Sequence, residues 1–415
     1  MTVWGADAVE AATGELRISP GDLVTPLALE RASERGVLIV VAGDSQPAPP
    51  AAALPLAPAA VPPPPPAGAL YRRGAPLPRP GHRPGPAPSS GPGRGLGARP
   101  GGRVIVVGAG HVGMITAARL ADADVFDELV LVDVVDGLAA GIALDLVHTA
   151  GLGGYQTVIR GVTGLADAGP ADFVVITAGR ARQPGMSRSD LVSTNAAIVG
   201  DVAVQVREAS PSAVLLVVTN PLDEMTQHAW QISGFPPERV LGMAGVLDTA
   251  RFEALAALSL GRSPAEVTAI ALGSHGDEMV IPLSQARVSG RPLTELLPAA
   301  IVAQLVARAR DSGAEVVGLL KKGSAFMAPG TSAARMVLAM ARDTGEVMPA
   351  AVLADGSYGI KGVYVGLPAR LGRAGVREIV ELPLTEQELA DLRRAAARIQ
   401  ERLAAAGGAL SMAAP

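Results

Sequence analysis

Two short stretches hold side chains that could do acid–base chemistry together. In ALGSHGDEMV, His275 stands between Gly273 and Gly276, with Asp277 and Glu278 just beyond it. In GVLDTARF, residues 245–252, Asp248 and Arg251 are three apart, so on a helix both project from one face. An aspartate can hold a histidine in one tautomer and stabilise its protonated form. An arginine beside it can grip a carboxylate through two parallel hydrogen bonds. The same residues also fit a bland alternative, a loop histidine and a wet intrahelical ion pair worth about 0.3–0.5 kcal/mol. Of the other histidines, His82 lies in a proline-rich stretch and His111 in a glycine loop, while His148 and His228 fall in helix-like segments that suggest packing or surface roles. A second cationic feature is ARQPGMSR, residues 181–188, where Arg182 and Arg188 flank a Pro184–Gly185 turn.

These groups need elements to hold them. GAGHVG at 108–113 follows the strand-like RVIVV and precedes the helix-like MITAARLA. In that setting Gly108 makes the tight turn, Gly110 lets the backbone approach a pyrophosphate, and Gly113 allows close helix–strand packing. The helix N-terminus adds unpaired N–H donors for phosphates. Asp133 ends the next strand, LVLVD, about twenty positions on, where an acid accepts the ribose hydroxyls of NAD and repels the 2′-phosphate of NADP. The competing reading is a glycine-rich turn in another α/β fold, with Asp133 as a strand-end cap. Glycines, strand, helix and acid together favour the cofactor.

The short β-branched runs VIVVG, LVLVD, DFVVITAG and VLLVVTN are separated by helix-length segments, the alternation of a parallel sheet. The expected fold class is α/β: a Rossmann-type NAD-binding domain over 103–247, followed by an α+β substrate domain over 248–406. A final helix is expected at 385–406, opened by the capping box Thr385–Glu388, with a flexible tail over 407–415. Upstream, 1–43 reads as a small module with strands at RIS and VLIVV and a helix over LVTPLALERASERG. Residues 44–102 hold 18 of the 35 prolines and six arginines, with no acid after Asp44. Such a stretch buries too little apolar surface to offset ordering its backbone, so it reads as a disordered linker.

Bulk properties narrow the class. The 415 residues are 49% hydrophobic with only 3% aromatics, so the core is aliphatic. A net charge of −4 gives no reason to expect a nucleic-acid partner. The absence of cysteine removes disulfide and thiolate chemistry, and no residue set suggests a metal. No apolar run approaches the ~20 residues of a membrane helix, and the acidic N-terminus is unlike a signal peptide, so a cytoplasmic protein is expected.

GAGHVG, LVLVD, TAG, RQPGMSR, VVTNPLD, GVLDTARF and GSHGDEM stand in the order and at the spacing of the malate/lactate dehydrogenase family, which the chain resembles over about 103–406. The likeness extends to LLKKGSAFMAPGTS and GSYGIKGVYVGLPARLG, and it is closest to the lactate-dehydrogenase-like malate branch. The resemblance implies that His275 exchanges the hydroxyl proton of a 2-hydroxy acid, that Asp248 orients it, and that Arg251 clamps the near carboxylate. It implies that Asn220 touches cofactor and substrate, that Asn195 contacts NAD, and that Val218 and Thr219 line the cofactor site. The loop residues Gly108, Ala109, Gly110, His111, Val112 and Gly113, with Asp133, would bind the rest of NAD. Family lactate enzymes carry glutamine where Arg182 stands, so malate/oxaloacetate is the expected substrate, with Arg188 polarising the carbonyl. A lactate-type or broader 2-hydroxyacid specificity is the alternative. His111 and Glu224 depart from the family pattern, since asparagine and a small residue are usual there. The family also implies a homodimer or homotetramer. Residues 1–43 loosely resemble a segment associated with bacterial microcompartments, so a scaffold or recruited-subunit role, docking on a shell or partner enzyme, is a reading of another class.

Overall fold

The structure is a computed structural model. It describes residues 101–180, 188–276, 278–321 and 323–412, together with 3–4, 12, 14–19, 23–24, 32, 35 and 37–41. The chain divides into two units, Met1–Pro92 and Gly93–Pro415. In the first, β1 (Val3–Trp4) pairs in parallel with β3 (Leu23–Val24), and β2 (Glu15–Ile18) with β4 (Leu38–Val41). The two strands expected from RIS and VLIVV are therefore present as β2 and β4. The linker expected over 44–102 lies almost wholly outside the described residues, as does most of the helix expected before Gly36.

The second unit is built on one sheet. Its parallel strands are β5 (Arg103–Val107), β6 (Glu128–Val132), β7 (Val158–Val162), β8 (Phe173–Ile176), β9 (Val214–Val217) and β10 (Val240–Gly242). They lie side by side as β7-β6-β5-β8-β9-β10, the doubly wound order of dinucleotide-binding folds. The sequence dictates this directly. RVIVV, ELVLV, FVVI and VLLV are continuous apolar runs, which suit strands covered on both faces. In β5, Val104 and Val106 enter one core cluster while Ile105 and Val107 enter another on the opposite face. Each such fully buried aliphatic side chain contributes about 1.5–3 kcal/mol.

Helices supply the two covers: α1 (His111–Asp122), α2 (Leu138–Gly153), the short α3 (Leu165–Ala168), α4 (Arg188–Ala209) and α5 (Leu222–Ser233). After β10 comes α6 (Gly245–Leu260). The chain then adds the short strands β11 (Val267–Thr268), β12 (Leu272–Gly273), β13 (Met279–Val280), β14 (Arg287–Val288) and β15 (Arg291–Pro292). Next are α7 (Leu293–Leu296), the long α8 (Ala299–Leu320) and α9 (Met327–Ala341). The last strands are β16 (Val347–Asp355), β17 (Lys361–Gly372) and β18 (Gly375–Ile379), followed by α10 (Glu386–Met412).

The C-terminal half is thus α+β as expected: β11, β14 and β15 form a small antiparallel sheet of their own, while its other strands extend the parallel sheet. β16 pairs antiparallel with β10, β17, β12 and β13 continue outward, and β18 pairs with β17, which gives eleven strands in all. The α10 capping box is in place: the Glu388 amide donates to Thr385 Oγ1 (3.2 Å) and the Thr385 amide to the Glu388 carboxylate (2.9 Å). The helix does not stop at 406. Residues 407–412 continue it where a tail was expected, with alanines favouring helix around Gly407 and Gly408. Residues 413–415 lie outside the described residues. No helix among the described residues is long and apolar enough to cross a membrane.

Candidate active site

The doubly wound order reverses between β5 and β8, and the site lies at the carboxyl ends of the strands there. The β5–α1 turn is GAGHVG. Gly108 has φ +102, and a Cβ on it would meet the Ala178 amide at 2.6 Å. A Cβ on Gly113 would overlap the carbonyl oxygen of Gly108, so that glycine lets α1 pack on its own turn. Gly110 is different: nothing lies within 4 Å of where its Cβ would be. The fold does not need a glycine there, and the open space lies at the N-terminus of α1, where an anionic group is favoured. Asp133 closes the turn, its Oδ2 accepting the Ala109 amide at 2.7 Å and its Oδ1 the Val135 amide at 2.9 Å. The carboxylate therefore stands at the lip of the glycine loop. These features fit NAD. His111 opens α1 and packs its ring 4.9 Å from Phe326, and Val112 lines the cleft described next.

That cleft, of about 300 Å³, brings Val112, Val218, Asn220, Asp248, Arg251 and His275 together from four stretches of chain. His275 sits in the connection of the β12–β13 hairpin, which pairs Leu272 with Val280 and Gly273 with Met279. Its Nδ1 bonds Asp248 Oδ2 at 2.9 Å. Asp248, in the first turn of α6 and 2% exposed, also accepts from Arg251 Nη1 through Oδ1 at 3.0 Å. The spacing of three along the helix thus places both groups on the face that meets the histidine. The wet ion-pair alternative does not hold, because the aspartate is buried. Burial pulls the His275 pKa down, but the charge and hydrogen bond of Asp248, helped by Asp223, outweigh it and raise the pKa above its ordinary value. With Nδ1 committed to Asp248, Nε2 is the nitrogen left for proton exchange.

Asn195 is buried and its amide is fully occupied. Its Oδ1 accepts the Arg180 amide at 2.7 Å, and its Nδ2 donates to the carbonyls of Arg180 (3.1 Å) and Asn220 (2.6 Å). It ties the loop after β8 to the loop after β9. Thr219 does the same through Oγ1 to Ala178 O at 2.7 Å. His228 is buried, bonded to Ala196 O at 3.0 Å and lowered in pKa by burial, while His148 is exposed, so both are packing or surface residues as expected. Arg182 lies outside the described residues; Arg188 begins α4, and its side chain is likewise outside them. No group of acids or histidines suited to a metal occurs among the described residues.

Sequence reasoning passed over several residues that meet here. Arg310 of α8 lines the cleft and donates through Nε and Nη2 to Met279 O at 3.2 and 3.0 Å. Asp223 lies behind the site, accepting the His275 amide at 3.2 Å and the Ser274 hydroxyl at 2.7 Å. Burial pushes its pKa up to about 6, partly countered by the Ser274 hydrogen bond, and its Oδ1 has no partner among the described residues. Asp223 belongs to the VVTNPLD motif and could have been suspected from it. Nothing local marks Arg310.

A doubly wound sheet with an open glycine loop at its switch point, facing a carboxylate-buttressed histidine, defines a dinucleotide-dependent oxidoreductase. Comparison with known proteins makes this specific. Residues 102–242 match the lactate/malate dehydrogenase NAD binding domain, and 245–407 match the lactate/malate dehydrogenase alpha/beta C-terminal domain. A malate dehydrogenase from Pelodictyon phaeoclathratiforme is 44% identical over 299 residues, 72% of this chain and 96% of that protein. One from Methanosarcina mazei is 45% identical over 300 residues, 72% of this chain and 97% of that protein. Among solved structures, the malate dehydrogenase from Salinibacter ruber superposes with TM-score 0.69 at 38% identity, over 74% of this chain and 99% of that one. The chain belongs to the lactate/malate dehydrogenase family.

Proposed function

We propose that the chain interconverts (S)-malate and oxaloacetate with NAD, His275 being the proton partner. The observation that carries this is the His275–Asp248–Arg251 set, buried and mutually bonded at 2.9 and 3.0 Å in a cleft beside the glycine loop. When bound, NAD accepts the hydride from C2 of malate or returns it to the carbonyl carbon of oxaloacetate. The residues that would hold it are the GAGHVG turn, Gly108 to Gly113, with Asp133 at the ribose and Val218, Thr219 and Asn220 along the strand-end loop. Asn195 acts by fixing the loops at 180 and 220.

In the reducing direction, His275 Nε2 gives a proton to the carbonyl oxygen as the carbon becomes a secondary alcohol. The imidazole is then neutral, and in the oxidising direction it takes the proton back. Asp248 stabilises the charged ring and fixes its tautomer. Arg251 holds the carboxylate next to the reacting carbon, so the reactant sits in a near-attack geometry. Val218, Met243 and Leu247 give the cleft apolar walls that exclude water. Among the described lining residues are two arginines, Arg251 and Arg310, and one acid, Asp248, itself paired; the cleft therefore suits an anionic reactant. Arg182 takes the distal carboxylate and Arg188 the carbonyl. An arginine left without its carboxylate in a closed pocket is unfavourable, which selects oxaloacetate over pyruvate.

The chain works as a homodimer or homotetramer. Support comes from the apolar groups exposed on and around α2: Val134 (90%), Leu144 (58%), Val147 (43%) and Leu152 (92%). The domains divide as 103–247 for the cofactor and 248–406 for the substrate. The test of function is NADH oxidation by the full chain with oxaloacetate and with pyruvate. A higher kcat/KM for oxaloacetate is expected, and a preference for pyruvate overturns the malate assignment.

A further inference from the structure

Behind the His275 loop, on the side away from the cleft, lies a charged cluster that the reaction above does not use. Arg402, on α10, reaches three side chains on two stretches of chain. Its Nε donates to Glu224 Oε1 at 2.8 Å, its Nη2 to Ser274 Oγ at 2.8 Å, and its Nη1 to Glu278 Oε2. The same Nη2 stands 3.9 Å from Asp223 Oδ2, the oxygen that accepts both the Ser274 hydroxyl and the His275 amide. Glu224 and Asp223 are each 2% exposed at the side chain. Arg402 itself is not among the residues lining the cleft.

One guanidinium therefore holds Ser274, just before His275, and Glu278, three residues after it, and ties both to the start of α5. Ion pairs buried in this way are poor stabilisers compared with apolar packing of similar volume. What a planar guanidinium adds is direction, because its donors fix angles as well as distances. The imidazole has a separate anchor, Asp248 on α6, at Nδ1. Two anchors from different helices, Asp248 of α6 on the ring and Asp223 of α5 on the backbone amide, fix where Nε2 points, and Arg402 reaches the second through Ser274. Glu224 takes the place of a small residue at this position of the family pattern and supplies the buried acid that Arg402 answers.

We propose that Arg402 is a positioning residue for proton transfer, clamping the 274–278 loop against α5 so that His275 meets the substrate carbonyl. The proposal rests on the reading of His275 as the proton partner. Arg402 touches neither substrate nor cofactor, so its loss should lower kcat while leaving reactant binding in place.

The test uses the full chain and begins with oxaloacetate turnover by the unaltered protein; absence of turnover there would refute the function and not the role of Arg402. Removing Arg402 alone takes a cation from the buried Glu224, so Arg402→Met is combined with Glu224→Gln. Activity is expressed per NADH-binding site, counted by fluorescence titration. The expected result is an unchanged NADH Kd, a KM for oxaloacetate within about twofold, and a kcat lower by about tenfold or more, since a misplacement near 1 Å can cost about 10²-fold. Arg402→Lys, which keeps the charge but loses the fork, should recover part of that loss relative to the double variant. A second arm, Glu278→Gln, neutralises a partner whose side chain is only partly buried, 37% exposed; a kcat lowered several-fold at unchanged KM is expected. An unchanged kcat per site in either arm, or a kcat that falls only in step with NADH affinity, overturns the proposal.

Discussion

Replacing Asp248 by asparagine isolates the charge of the catalytic set with little change of shape. Asp248 Oδ2 lies 2.9 Å from His275 Nδ1, and the carboxylate is almost fully buried, so solvent screens the pair poorly. Unit charges about 4 Å apart at an effective dielectric near 20 attract by about 4 kcal/mol. Asparagine retains a hydrogen bond but supplies no charge for the imidazolium, and a factor of ten in rate corresponds to about 1.4 kcal/mol. Allowing for the retained bond, kcat for oxaloacetate reduction should fall roughly 10²- to 10³-fold. The pH profile supplies an independent sign. With His275 as the proposed proton donor, reduction needs its protonated form, so activity should be lost as pH rises through its pKa, which Asp248 holds above the ordinary histidine value against the pull of burial. Removing the charge lets burial dominate, and the basic limb of the reduction profile should move to lower pH. In malate oxidation, which needs neutral His275, the acidic limb should move the same way. The assay is NADH absorbance across pH in both directions, on variant protein normalised by NADH binding. A kcat within a few-fold of the parent, with both limbs in place, would refute the assignment of Asp248 and His275.

Other expectations follow from the same geometry. Gly110→Ala should leave the melting temperature nearly unchanged, because nothing lies within 4 Å of the new methyl, yet weaken NADH binding about tenfold or more. Gly113→Ala should behave oppositely in calorimetry, losing about 1–3 kcal/mol of stability through overlap with Gly108 O; equal melting temperatures for the two variants would contradict the packing described. Asp133→Ser should narrow the preference for NADH over NADPH in steady-state kinetics, and an unchanged ratio would remove Asp133 from the ribose. Arg182→Gln deletes a charge-assisted contact of about 1.5–3 kcal/mol, so the oxaloacetate-to-pyruvate ratio of kcat/KM should fall by roughly 10- to 100-fold. If both substrates lost equally, Arg182 would not be the selector.

Much of the parallel half was legible because each strand is a short, continuous apolar run and each turn is marked by its residues. RVIVV followed by GAGHVG can hardly do anything but feed a strand into a helix N-terminus. The three-residue spacing of Asp248 and Arg251 likewise placed them on one face, although whether that face was wet or buried could not be read locally. His275 bonds a residue 27 positions away, and only the fold reveals the pair. The continuation of the parallel sheet into β16 and β17 was not visible, because strand pairing across the sheet edge leaves no local pattern. Arg402 was the least accessible: its partners Glu224 and Glu278 lie 178 and 124 positions away, and on the sequence alone it is one more arginine on an amphipathic helix. The extension of α10 to Met412 was missed because Gly407 and Gly408 look like a stop, while the neighbouring alanines sustain the helix.

Hydride should pass between the nicotinamide and C2 of a four-carbon dicarboxylic acid held in the His275 cleft. This transfer is tested most directly by incubating the protein with oxaloacetate and NADH carrying deuterium at both C4 positions, then recording the proton spectrum of the product. Malate bearing deuterium at C2 is expected. Malate with protium at C2, or consumption of NADH without malate, would contradict it.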